Sequence, residues 1–168
     1  MRIIATLVLT FTVFAAPLAA YGQNAPQLLE TFRDWEAYKH NANGQDTCYI
    51  LSKPKTLSPS NRNHGDVFFF VTSRPAEDVR NEVSVLVGYE FQPDSQVTVT
   101  VDGRSFAMFT KDDGAWMQST ADEQQLVQAM RAGSNMTVSG TSSRGTSVSY
   151  TFSLSGVTAG SNRIAGNC

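Results

Sequence analysis

The strongest structural signal in this sequence is the stretch Val97-Thr98-Val99-Thr100-Val101-Asp102-Gly103, which is followed by the segment 104–110. Valine and threonine alternate with a period of two residues, the period at which the side chains of a β-strand point to opposite faces. An Asp-Gly pair between two such segments is typical of a type I′ turn, which needs positive φ at both central residues. The stretch therefore predicts an antiparallel hairpin with Asp102 and Gly103 at its tip.

Further strand-like segments lie on both sides of this hairpin, at residues 35–38, 47–51, 67–72, 82–89, 136–139 and 147–154. The segment 67–72 is continuously apolar and predicts a fully buried strand. Asn43-Gly44 and Asp112-Asp113-Gly114 predict turns. Many short strands with frequent turns favour a mainly β fold, a single-domain antiparallel β-sandwich or barrel-like fold.

Helical periodicity predicts one short α-helix near residues 120–132. Thr120 and Glu123 have the spacing of an N-terminal capping box, and Leu126, Val127 and Met130 fall on one helical face. The segment 26–32 predicts one or two amphipathic helical turns. The small, polar tail after Gly156 predicts no regular element.

The first 22 residues have the pattern of a signal peptide rather than of a folded domain. Arg2 is the only charge before Glu30, an apolar stretch follows it, and Ala20-Tyr21-Gly22 supplies small residues for cleavage. The apolar stretch is short for a membrane span, which needs roughly 20 residues, although a retained anchor is the alternative. We expect a signal peptide at 1–22, a domain at 23–168, a periplasmic or secreted location, and no integral membrane segment after cleavage.

The charge of the chain excludes one class of partner. The formal net charge is −2 and becomes −3 when the segment carrying Arg2 is removed. No run of basic residues occurs, and phosphate backbones are bound by clustered Lys and Arg. We therefore expect no nucleic-acid partner.

The chain contains two cysteines, Cys48 and Cys168. Export would place them in an oxidising compartment, where an even number of cysteines favours a disulfide. Two free thiols are the alternative. A zinc site is disfavoured, because neither cysteine lies at metal-ligand spacing from His40 or His64.

No motif in the sequence predicts a catalytic, metal or cofactor site. The polar stretch 140–145 lacks the spacing of a nucleophile elbow and is typical of a hairpin loop. Asp112 and Asp113 lack the other ligands of a calcium loop. His40 and His64 lie among Asn, Gly and Asp, which predicts exposed loop positions. We therefore expect a protein that is not an enzyme, with no cofactor and no metal.

Three side chains are candidates for a binding surface, namely Trp35, Trp116 and Arg144. Core packing is the ordinary role of a tryptophan in a strand, but amphipathic aromatic side chains are enriched at interfaces.

In order along the chain, several segments resemble the invasion-associated locus B family of Gram-negative bacteria. They are Asp34-Trp35 with Tyr38, Cys48-Tyr49-Ile50-Leu51-Ser52-Lys53-Pro54, Arg74-Pro75-Ala76-Glu77, Asn81-Glu82-Val83-Ser84, Gly88-Tyr89, Val99-Thr100-Val101-Asp102-Gly103, Ala115-Trp116, the segment 140–146, Ser153-Leu154-Ser155-Gly156 and Cys168. Tyr150 and Val157 depart from the resemblance, which has an acidic and an aromatic residue there. The resemblance implies an exported, mostly β domain that is linked by the family name to host-cell invasion, and it supplies no catalytic residues.

Three functions are compatible with these observations. The first is a non-enzymatic envelope or secreted interaction module that binds an unknown protein or envelope component, with a role in host-cell association or invasion. The second is a small-ligand-binding β domain of the periplasm, whose apolar cavity would be lined by Phe68, Phe70, Phe106 and Phe109. The third is an enzyme with an unfamiliar site, which a pocket of titratable residues would indicate.

Overall fold

The computed structural model describes residues 25–168, so the predicted signal peptide lies outside the described residues. The hairpin expected around Asp102-Gly103 is present. Val101 pairs with Arg104, and both turn residues have positive φ, +45° at Asp102 and +89° at Gly103. Asn43-Gly44 forms a second turn of this kind, with φ of +53° and +81°.

The described residues form eleven strands and two α-helices. The strands are β1 (Gln27–Phe32), β2 (Trp35–Ala42), β3 (Gln45–Ser52), β4 (Thr56–Ser58), β5 (Phe68–Arg74), β6 (Val79–Leu86), β7 (Gln96–Val101), β8 (Arg104–Lys111), β9 (Gly114–Trp116), β10 (Asn135–Thr141) and β11 (Ser147–Ser153). The helices are α1 (Thr120–Ala132) and α2 (Val157–Ala165), and a short 3₁₀ turn covers Pro75–Glu77.

All eleven strands belong to one antiparallel sheet with the order β1-β2-β3-β5-β6-β9-β8-β7-β10-β11-β4. The sheet curves until its two halves face each other. The ring centroids of Phe69 on β5 and Phe152 on β11 lie 5.7 Å apart, although five strands separate β5 from β11 in the sheet. The mainly antiparallel β fold expected from the sequence is therefore confirmed.

Hydrogen bonds fasten the turn between β1 and β2 to the end of β11. The backbone N–H of Asp34 donates to the carbonyl of Ser155 at 3.2 Å, and the indole N–H of Trp35 donates to the carbonyl of Ser153 at 3.0 Å. A buried indole N–H needs such a partner, because leaving it unpaired would cost the desolvation free energy of the group. These bonds hold the two ends of the sheet together.

Helix α2 closes the same end of the fold. Its buried residues are Val157, Gly160, Ser161 and Ile164. Gly156 precedes it with φ of +104°, and a β-carbon there would overlap the carbonyl of Phe32. Just after the helix, Cys168 forms a disulfide with Cys48 on β3, with a Cα–Cα distance of 6.0 Å, inside the range that an unstrained bridge allows.

Four local expectations from the sequence are wrong. Residues 27–32 form a strand and not a helical turn, because pairing with β2 satisfies their backbone. The tail contains α2, whose buried residues have helical spacing but include the small residues Gly160 and Ser161, so that its composition is that of a polar loop. Helix α1 is capped by Ser119, whose Oγ accepts a hydrogen bond from the Asp122 N–H at 3.2 Å, and not by Thr120. Strand β5 is buried on alternate residues only, since its other face points away from the core.

None of the helices within residues 25–168 combines the length and the apolar character needed to cross a membrane.

Candidate functional site

The structure separates the three side chains that the sequence suggested for a binding surface. Trp35 is fully buried in the core, so the prediction that it contributes to a surface is wrong. Trp116 lies partly exposed on the outer face of β9, and Arg144 is exposed in the loop between β10 and β11. Two different surfaces therefore need description, one around Trp116 and one around Arg144.

His64 near Arg144 is not the exposed loop residue that its sequence context predicts, because only 6% of it is exposed. Two glycines allow the loop carrying it to lie against the end of β6. A β-carbon on Gly65 would stand 2.7 Å from Cα of Gly88, and the Gly88 N–H donates to the carbonyl of His64 at 3.2 Å. This close approach of two backbones buries the imidazole.

Both nitrogens of the His64 ring are hydrogen-bonded. Nε2 lies 3.0 Å from the carbonyl oxygen of Pro59, which can only accept, so Nε2 carries the proton. In the neutral ring Nδ1 is then an acceptor, and the Tyr150 hydroxyl donates to it at 2.9 Å. The Tyr89 hydroxyl lies 2.6 Å from that of Tyr150 and donates to it in turn.

The pKa values of the two tyrosines show that each hydroxyl carries a proton to donate. Burial raises the pKa of Tyr150 far above the usual tyrosine value, and the hydrogen bond with Tyr89 raises it further. Burial also raises the pKa of Tyr89, although its hydrogen bond with Tyr150 acts against the rise. Both hydroxyls therefore keep their protons at neutral pH, and the row Tyr89–Tyr150–His64–Pro59 is a directional chain of hydrogen bonds.

An open cleft of about 650 Å³ lies beside this chain. We call it the arginine cleft, because Arg62 and Arg144 both line it. The other lining residues are Asn61, Asn63, His64, Gly88, Tyr89, Glu90, Ser142, Ser143, Thr146 and Val148. They come from the loop before β5, the segment after β6 and the hairpin loop between β10 and β11, so the cleft exists only in the folded chain.

A second surface extends over the outer face of the sheet, away from the core. We call it the outer band. It consists of Leu28, Tyr38, Tyr49, Leu51, Phe68, Phe70, Leu86, Trp116 and Phe109, whose strands β1, β2, β3, β5, β6, β9 and β8 are consecutive in the sheet.

Aromatic rings contact one another near both ends of the outer band. The rings of Tyr38 and Tyr49 stack with centroids 5.3 Å apart, and Tyr49 meets Phe70 edge to face at 5.9 Å. The Tyr38 hydroxyl also donates to the Glu36 carboxylate at 2.7 Å, and this hydrogen bond raises the pKa of Tyr38 to about 12. At the other end, the centroids of Phe109 and Trp116 lie 6.0 Å apart.

Glycine shapes the end of the outer band that carries Trp116. The indole of Trp116 lies over Gly114, where a β-carbon would overlap the ring. The two large apolar side chains exposed most among the described residues, Leu28 at 49% and Phe109 at 40%, stand at opposite ends of the band. Exposed apolar area is therefore concentrated along one face of the sheet.

The apolar cavity expected from four phenylalanines is not formed by them. Phe68, Phe70 and Phe109 face outward in the outer band, whereas Phe106 packs on the other side of β8 against the core. Sequence reasoning missed Arg62 and Tyr89 as neighbours of Arg144 in the arginine cleft, and Tyr150 as the partner of His64. For these residues the sequence contained one local indication of burial, which is the inward position of Tyr150 in the alternating pattern of β11.

No cluster of three or more metal-ligating side chains occurs within residues 25–168.

Three comparisons relate the chain to known proteins. The family model of the invasion associated locus B protein matches residues 35–165. No curated protein shows significant sequence similarity to the chain. A crystal structure of invasion associated protein b from Bartonella henselae matches with a TM-score of 0.54 and 14% identity, over 84% of this chain and 98% of that one. At this identity the structural match shows the shared fold alone. The family match spans most of the described residues, and the chain belongs to the invasion-associated locus B family.

Proposed function

We propose that this protein is an exported, non-enzymatic interaction module of the bacterial envelope or secreted fraction, with a role in host-cell association or invasion. The outer band is the observation that carries the proposal. Contiguous apolar patches on a soluble domain mark interaction sites, and aromatic side chains are enriched at such sites. Membership of the invasion-associated locus B family supports the role toward a host cell.

The sheet that carries the outer band is held rigid by two cross-links. The disulfide joins Cys48 on β3 to the end of α2, and the Trp35 side chain ties β2 to β11. Side chains on such a sheet lose little conformational freedom when a partner binds, which reduces the entropic cost of association.

The arrangement around His64 supports a function without catalysis. A general base must reach the proton that it removes, but both ring nitrogens of His64 are occupied by Tyr150 and Pro59. The neighbouring tyrosines have pKa values raised by burial, so both are protonated at neutral pH and neither can accept a proton from a substrate.

Capture of partners with variants of the outer band tests the proposal. The domain 23–168 would be used as bait in envelope extract and in host-cell lysate. Phe109→Ser removes an exposed aromatic side chain, whereas Phe109→Leu keeps an apolar side chain at the same position. We expect a partner that binds the unaltered domain and the Leu variant but is lost with the Ser variant. Equal capture by all three baits would contradict a role for the outer band.

Export needs its own measurement. We expect protein from the periplasm or medium to have the intact mass of a chain cleaved near Gly22. A folded, soluble species that retains residues 1–16 would contradict the proposed export route.

A small-ligand-binding function is the second candidate, and the arginine cleft is the observation that favours it.

A further inference from the structure

The arginine cleft is held in shape by hydrogen bonds among its three segments. The Ser143 N–H donates to the carbonyl of Glu90 at 2.8 Å, and the Gln92 N–H donates to the carbonyl of Thr141 at 2.9 Å. These bonds tie the hairpin loop to the segment after β6. The Gly88 N–H ties that segment in turn to the carbonyl of His64, so a ligand would meet a preformed wall.

The hairpin loop that carries Arg144 is ordered by its own backbone. The Ser142 N–H donates to the carbonyl of Thr146 at 2.9 Å, and the Gly145 N–H donates to the carbonyl of Ser142 at 2.8 Å. Gly145 has φ of +77°, a conformation that glycine adopts without strain. The backbone position of Arg144 is therefore set before any ligand binds.

The charges of the cleft favour an anion. Arg62 and Arg144 are exposed, and neither belongs to an ion pair among the described residues. Glu90 is the one carboxylate among the lining residues. Two guanidinium groups and one carboxylate leave a single positive charge, which a monoanion would neutralise. A dianion, such as the doubly charged form of phosphate, would leave an excess negative charge.

Two polar side chains that line the cleft with the arginines have hydrogen-bond donors available for a ligand. Asn63 Oδ1 accepts from the Gly65 N–H at 2.9 Å, which leaves the amide NH₂ group of Asn63 to donate. Ser142 Oγ accepts from the Thr146 N–H at 3.2 Å, which leaves its own O–H to donate. Ser142 is 9% exposed, so its hydroxyl would bind in a site largely screened from bulk water.

The wall between these donors is partly apolar. The Tyr89 ring packs edge to face against Phe91 with centroids 5.6 Å apart, and its hydroxyl is held by Tyr150. Val148 lines the same cleft. An inorganic ion would leave this wall uncovered, whereas an organic molecule would contact it.

We propose that the arginine cleft binds a small organic monoanion, whose carboxylate pairs with Arg62 and Arg144 and whose body lies against Tyr89. Guanidinium groups bind carboxylates through paired N–H donors, and Asn63 and Ser142 donate to the oxygens of the ligand. The proposal is independent of the outer band, because the two surfaces share no residue.

Amide chemical shifts of the isotope-labelled domain 23–168 test this proposal. The probes are glucuronate, a sugar acid, and N-acetylglycine, a peptide-like acid, with glucose and inorganic phosphate as controls. We expect at least one of the two acids to shift amides in 61–64, 88–90 and 142–146. A response to glucuronate alone identifies a sugar acid as the ligand class, and a response to N-acetylglycine alone identifies a peptide carboxyl terminus. Glucose should leave these amides unshifted, and phosphate should bind more weakly than the responding acid.

Three matched variants locate the binding. We expect Arg62→Gln and Arg144→Gln each to weaken binding of the responding acid about tenfold, which is about 1.4 kcal/mol. Arg80→Gln makes the same change at an exposed arginine outside the cleft and should change binding less than twofold. The proposal is overturned if neither acid shifts the cleft amides, if phosphate binds as tightly as the acids, or if Arg80→Gln weakens binding as much as the cleft variants.

Discussion

The Tyr150 hydroxyl donates a hydrogen bond to Nδ1 of His64 across 2.9 Å, joining side chains that lie 86 residues apart in sequence. Tyr150 is 1% exposed and His64 is 6% exposed. The hydroxyl also accepts from the partly buried Tyr89 at 2.6 Å, so one oxygen atom bonds to two partners. Its removal leaves unpaired polar groups in the interior.

Tyr150→Phe should therefore destabilise the domain by about 1–3 kcal/mol, the usual cost of leaving a buried polar group without its partner. The free energy of unfolding from urea denaturation measures this effect. Tyr49→Phe is the matched control, because it removes a tyrosine hydroxyl from the outer band, and we expect it to change stability by less than about 0.5 kcal/mol. Equal effects of the two substitutions would show that the hydrogen bond to His64 adds nothing.

The disulfide between Cys48 and Cys168 closes a separation of 120 residues. Replacing both cysteines by serine should lower the free energy of unfolding by about 2–4 kcal/mol, because the unfolded chain regains conformational entropy. Reduction of the unaltered domain should cause a loss of similar size, and reductant should leave the double variant unchanged. Non-reducing peptide mapping checks the pairing directly, and two thiols that react freely with an alkylating agent in the native protein would refute it.

Gly103 at the tip of the β7–β8 hairpin has φ of +89°, and no atom lies within 4 Å of the place where its β-carbon would stand. A substitution there therefore meets backbone strain and no steric overlap with neighbours. We expect Gly103→Val to destabilise the domain by about 1–3 kcal/mol. Gly103→Asn should cost less, since asparagine tolerates the left-handed region. A denaturation midpoint that is the same for the Val variant and the unaltered domain would argue against this account of the turn.

Asp34 makes the stability of the closed end of the sheet dependent on pH. Hydrogen bonds from Lys55 and Ser153 lower the pKa of Asp34 below its ordinary value of 3.8. A carboxylate with a lowered pKa in the folded state stabilises that state above its unfolded pKa, and the contribution is lost as the pH falls through the folded value.

We therefore expect the stability of the domain to decrease below about pH 4, and Asp34→Asn to reduce that decrease. Free energies of unfolding at pH 7 and pH 3 for both proteins supply the test, with the larger difference expected in the unaltered protein. Parallel pH profiles would mean that Asp34 is not responsible.

The local elements of this fold could largely be predicted from sequence. The alternation in 97–101 and the Asp102-Gly103 pair are sufficient for the hairpin, because a two-residue period and positive φ are properties of neighbouring residues. The pairing of Cys48 with Cys168 also followed without the fold, since the chain contains only two cysteines. The segments that match in order from Asp34 to Cys168 were sufficient to identify the family, and the family model confirms that identification.

The arrangement of side chains over long distances could not be predicted. Trp116 and Phe70 share one outer face, whereas Trp35 lies in the core. The face that each side chain occupies is set by the pairing register of its strand. The buried face of helix α2 includes the small residues Gly160 and Ser161, and only the folded structure shows that they pack against the strands. Arg62 and Arg144 line one cleft although they lie far apart in the chain. His64 and Tyr150 are hydrogen-bonded across a similar separation. Such contacts form only when the whole sheet closes, because their free energy must offset the conformational entropy lost in bringing distant segments together.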